Sequence, residues 1–139
     1  MSVPAPEIDG FFNTYGWDFR QEGEDLFRTG FVGDVGHFDV WLRVTEDWLF
    51  FSIQPYIPLF EGKAHGTEVL SLLLYANHEL SLAKFALDED GDLVLAVELP
   101  AKGFGYSHFA DALTALSHYA DLFHERFMQA IQKDHVQGH

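Results

Sequence analysis

The chain has 139 residues, no cysteine, and 22 Asp and Glu against eight Lys and Arg, for a net charge of −14. A domain of this length buries roughly two thirds of the surface its unfolded chain exposes, and the 47% apolar content, with 14 Phe, supplies such a core. Without cysteine there are no disulfides, thiolate zinc sites or cysteine nucleophiles, and the negative field opposes phosphate backbones and anionic membranes while favouring basic ligands.

Residues 1–6 read as a frayed start. Ile8, Phe11, Phe12 and Tyr15 then fall at i, i+3, i+4 and i+7, which predicts a helix from about Pro6 to Tyr15, stopped by Gly16. Three strands follow. Leu26 to Val32 is the first, and Gly33-Asp34-Val35-Gly36 turns the chain. His37 to Val44 alternates, with Phe38, Val40, Leu42 and Val44 on one side and His37, Asp39, Trp41 and Arg43 on the other. Trp48 to Gln54 is the third, directing Leu49, Phe51 and Ile53 to the core, and Pro55 and Pro58 are expected to end it.

Residues 59–64 are expected to form a loop. The next segment, His65 to His78, predicts a helix apolar almost all round, which needs cover on two sides, from the domain or from a second copy of it. Leu82 to Leu87 and Leu93 to Leu99 predict two strands joined by the turn Asp88-Glu89-Asp90-Gly91-Asp92. Ser107 is the expected N-cap of a last helix reaching about Lys133. Its apolar stripe runs from Phe109 and Leu113 to Phe127 and Ile131, and Leu122 projects among polar residues. The tail from Asp134 is expected to be loose. The expected fold is α+β: helix, three strands, helix, two strands, helix, with a mainly antiparallel sheet packed by helices. It forms a single domain over residues 1–139 with an ordered core of about 7–133.

The segment Leu72-Leu73-Leu74-Tyr75-Ala76-Asn77 carries a resemblance, together with Lys84-Phe85-Ala86-Leu87, the acidic Gly91 turn and Leu95-Ala96-Val97-Glu98-Leu99-Pro100. These motifs, and Leu116 to Asp121 after them, resemble the YbjN-type bacterial proteins, described as sensory transduction regulators, over roughly residues 8–130. Their fold is similar to that of the type III secretion chaperones. The resemblance implies a small, acidic, cytoplasmic homodimer that holds protein segments, with no catalytic residue to carry over.

The reactive side chains give no catalytic pattern. His118, Asp121 and Glu125 share the polar face of the last helix and read as solvated, not as a metal site. The Asp88 to Asp92 run misplaces its glycine for a calcium loop, and Val97 stands where the bidentate acid belongs, so it reads as a hairpin turn. Glu98 lies inside a strand and reads as structural or simply exposed. No nucleophile elbow or phosphate-cradling glycine loop occurs. No catalytic residue, metal or cofactor is therefore expected.

No basic start followed by an apolar run is seen, so no signal peptide is expected. The densest apolar stretch, Val69 to Ala76, is far short of the ~20 residues of a membrane span. A cytoplasmic location fits these features.

Trp41, Trp48 and Phe50 fall on the sheet side opposite Leu42, Leu49 and Phe51. With helices on one side only, three large rings would lie on the other, where they mark a contact surface. The expected partner or dimer contacts are Trp41, Trp48, Phe50, Leu73, Tyr75 and Leu122. The expected function is a non-enzymatic, chaperone-like or regulatory protein-binding module, acting as a homodimer with an unidentified protein partner. The alternative is a small-ligand sensor, with His37, Arg43 and Gln54 lining a cavity between sheet and helices.

Overall fold

The computed structural model describes residues 2–58 and 64–137, so the expected loop at 59–64 lies, except for Ala64, outside the described residues. Helix α1 spans Ala5–Tyr15. Pro6 sits in its first turn, where a missing N–H costs nothing. Gly16, at φ 90°, ends it by donating its N–H to the Phe12 carbonyl at 2.8 Å. Strands β1 (Phe19–Gln21), β2 (Leu26–Gly33), β3 (Gly36–Val44) and β4 (Trp48–Ile57) follow. Then come α2 (Thr67–Glu79), β5 (Ala83–Leu87), β6 (Leu93–Pro100) and α3 (Tyr106–Gln137).

The six strands form one sheet in the order β1-β2-β3-β4-β6-β5, and every neighbouring pair is antiparallel. The three helices pack on one face of it. Phe12 of α1 stacks on Phe19 of β1 at 4.7 Å, and α3 crosses β2, β4, β5 and β6. At 1.5 Å per residue the 32 residues of α3 reach about 48 Å, enough to traverse the whole sheet. Between the layers lie fully buried rings from every part of the chain: Phe12, Phe27, Phe51, Phe109 and Phe127.

The element order departs from the expected one by one strand. β1 is three residues long, too short to show alternation, and exists because Phe19 packs on Phe12 while the strand pairs with Phe27 to Thr29. β4 also runs past Pro55 to Ile57. Its pairing with β3 ends at Ser52, and its register against β6 shifts between Ile53 and Ile57, so the missing proline N–H falls in an irregularity. No helix of the described residues is long and apolar enough to cross a membrane.

Candidate functional site

Among the described residues no element covers the sheet face away from the helices. Strand alternation places Leu26, Arg28, Trp41, Arg43, Phe50, Ser52, Ala96 and Lys84 there, and cross-strand register arranges them in rows. One row runs Arg20, Arg28, Trp41, Ser52, Ala96 and Lys84. The next runs Leu26, Arg43, Phe50 and Glu98. Leu26, Trp41, Arg43, Phe50, Ala96 and Glu98 of these rows floor an open trough of about 820 Å³, with Gln54 and Asp88 also in its lining. The Trp48 ring, 44% exposed, lies 6.5 Å from that of Phe50. Trp41, Trp48 and Phe50 thus gather on the open face, as their alternation requires.

Charges on this face are arranged around the rings. Arg28 donates to Asp39 at 3.0 Å and its guanidinium lies 5.2 Å from the Trp41 ring centre. His37 meets the other Asp39 oxygen at 2.9 Å. The His37 hydrogen bond is the main reason the Asp39 carboxyl titrates below its usual range; partial burial opposes it, and Arg28 adds to it. Lys84 pairs with Glu98 at 2.7 Å, so this strand acid is a surface ion-pair partner. His37, Arg43 and Gln54, expected around an interior cavity, all lie on this open face instead, because strand alternation turns them away from the helices.

A second surface lies on α2. Val69, Leu73 and Ala76 face the core, while Leu74 is 75% and Tyr75 50% exposed. Leu73 is therefore corrected as a contact residue: at 8% exposure it is core, and Leu74 takes the outward position. Arg126 of α3 lies over Tyr75 at 5.3 Å, and Leu122, one turn earlier on α3, is 52% exposed. Two polar contacts fix the phase of α2. Asp134 accepts the N–H groups of Gly66, Glu68 and Val69 at 3.0, 2.9 and 3.0 Å, capping the N-terminus of α2. The Asn77 side chain accepts the Phe85 N–H at 2.7 Å and donates to the Phe85 carbonyl at 2.9 Å. Asn77 thereby occupies the free edge of β5 in place of another strand. Asp134 belongs to α3, which continues to Gln137 where a loose tail was expected from the sequence.

The acidic clusters of α3 and of the β5–β6 turn have structural occupations. Asp121 accepts the Asp34 N–H at 2.9 Å and pins the β2–β3 turn, and His118, Asp121 and Glu125 do not converge as metal ligands. Among the described residues only Asp88, Asp90 and Asp92 bring three such groups together. The Asp88 carboxylate closes its own turn, accepting the N–H of Asp90 at 2.9 Å and of Asp92 at 3.0 Å. Desolvation works to raise its pKa, but these bonds and one from Gln54 outweigh it and hold the group below its usual range. Tyr56 is buried against α3, donates its hydroxyl to the Ala120 carbonyl, and is held protonated by burial and by the Asp121 carboxylate.

The fold has known counterparts. A chain of the heterodimeric ExoU–SpcU complex, from the type III secretion system of Pseudomonas aeruginosa, superposes with a TM-score of 0.59 at 19% identity. That match covers 91% of this chain and 98% of the other. A chain of the Yersinia pestis type III secretion chaperone SycH, in complex with a stable fragment of YscM2, gives 0.58 at 22% identity, covering 85% and 97%. At these identities the likeness is one of fold: a mixed α+β architecture with an antiparallel sheet and three helices, like that of the type III secretion chaperones. No curated protein sequence matches the chain significantly. The YbjN profile, described as "Putative bacterial sensory transduction regulator", matches residues 4–129, and the chain belongs to the YbjN family.

Proposed function

We propose that this chain is a non-enzymatic, cytoplasmic protein-binding module that works as a single-domain homodimer and holds another protein on its open sheet face. The observation that carries the reading is the group of rings Trp41, Trp48 and Phe50 on a face that no helix of the described residues covers. Large rings gathered on a surface are contact sites, and Trp is enriched where binding energy concentrates. Both solved counterparts are complexes of a chain of this fold with a protein, which supports the same use here. For the copy-to-copy contact we assign the other surface: Leu70, Leu74 and Tyr75 of α2 with Leu122 of α3. A two-fold contact through this patch sets leucine stripes against each other and closes on itself.

The two surfaces are tested separately. Light scattering should give the mass of two chains for the wild type at micromolar concentration and of one chain for Leu74→Arg, which alters only an exposed side chain. A wild type that is strictly monomeric contradicts the dimer. Affinity capture from native extract should recover a protein with the wild type and lose it with Trp41→Ala/Trp48→Ala, whose circular dichroism stays native. Equal capture by both contradicts the assignment of the sheet face.

A further inference from the structure

The open sheet face is charged against the rest of the molecule. Arg20, Arg28, Arg43 and Lys84 lie on it, four of the chain's eight Lys and Arg, while of the 22 acids only Asp39 and Glu98 join them on the strands of that face. With Asp88 in the lining of the trough, the face still carries a small positive excess within a chain of net charge −14. Arg28 is neutralised by Asp39 and Lys84 by Glu98. Arg20 and Arg43 have no hydrogen-bond or ion-pair partner among the described residues. Arg43 stands directly between Leu26 and Phe50 in the cross-strand row, with Trp41 two residues away on the same side. A guanidinium set among apolar groups suits a carboxylate carried by an apolar ligand, because both hydrogen bonds of a bidentate pair form where water is partly excluded.

The sheet edges limit the shape of such a ligand. An extended peptide is commonly captured by adding a strand to a free edge. The β5 edge is occupied at Phe85 by the Asn77 amide, and β1 offers three residues. The face itself remains, and the opposite face of this sheet already packs an amphipathic helix, α3. A second copy of the chain placed face to face would bring two surfaces with the same surplus of arginine together.

Resting on the reading of this face as a protein-binding surface, we propose that it docks an acidic amphipathic helix of another protein, its apolar stripe on Trp41, Phe50 and Leu26 and one carboxylate on Arg43.

The probes are three fluorescein-labelled peptides with Leu at i, i+3, i+4 and i+7, differing only in whether Glu, Gln or Lys fills the other positions, and a labelled oligothymidine. Fluorescence anisotropy should show the Glu peptide binding about tenfold more tightly than the Gln peptide, the size expected of one charge-assisted hydrogen-bonded contact. Arg43→Gln, an exposed change checked by circular dichroism, should remove that advantage and leave Gln-peptide binding unchanged. Trp41→Ala should weaken both. Tightest binding of the Lys peptide or of oligothymidine overturns the proposal, as does a Glu preference that survives Arg43→Gln. Equal binding of Glu and Gln peptides, both dependent on Trp41, overturns the acidic preference and leaves the docking face standing. No binding of any peptide to the wild type overturns the docking face together with the preference.

Discussion

Phe109→Ala is expected to lower the unfolding free energy by about 4 kcal/mol, the range for removing a fully buried phenylalanine ring. The Phe109 ring sits in the first turns of α3, where α1, α3 and the sheet meet. It is edge-on to Phe12 at 4.8 Å, tilted against Phe11 at 5.5 Å and edge-on to Phe51 at 5.8 Å. Removing it leaves a void bordered by three elements that cannot all move inward. Domains of this size are stable by about 5–15 kcal/mol in total, so one side chain carries a large share. Urea denaturation followed by circular dichroism measures the loss. Asp111→Ala, on the exposed side of the same helix and outside the proposed dimer patch, should change stability by about 0.5 kcal/mol or less. Equal effects of the two variants would contradict the packing described.

Asp134→Ala is expected to cost about 2 kcal/mol, at the upper end for an N-cap, because one carboxylate serves three backbone N–H groups at the positive end of α2. The site is also sterically matched. A Cβ added at Gly66 would lie 2.7 Å from the Asp134 carboxyl, so Gly66→Ala should displace the cap and reproduce part of the loss. Hydrogen exchange gives the sharper test. The amides of Glu68 and Val69 should lose protection selectively in Asp134→Ala, while those of β3 keep theirs. Unchanged exchange at α2 would show that α2 does not depend on this cap. Because α2 presents Leu74 and Tyr75, the same variant should also weaken the proposed dimer.

Strand periodicity was the most readable feature of the chain. Alternation from Phe38 to Val44 and from Leu49 to Ile53 assigned the buried side, and with it the open side holding Trp41, Trp48 and Phe50. The phase of α2 was not readable, because its segment is apolar on nearly every side. Its phase is set by Asp134 and Asn77, polar contacts to distant parts of the chain that leave no period in the sequence. Asp134 itself looked like part of a tail for the same reason: its partners lie 65 to 68 residues earlier. Asn77 ends the Leu72 to Asn77 segment that carries the family resemblance, and its contact with the β5 edge gives that residue a physical role. β1 had no legible signal, since three residues define no alternation. The charge of the open face did have one. Arg43 shares its strand side with Trp41, and Arg28 lies directly opposite Trp41 across β2 and β3, but a whole-chain charge of −14 hides this segregation.

The placement of a protein partner on the open sheet face is the reading on which the proposed function stands. Its most direct test places a photo-crosslinking amino acid in the full-length chain, in its native cells, at Ser52 in the middle of that face or at Asp111 on the exposed side of α3. A cross-linked protein is expected from position 52, lost when Trp41 is changed to Ala, and none is expected from position 111. Cross-linking from position 111 with none from position 52 would contradict that placement.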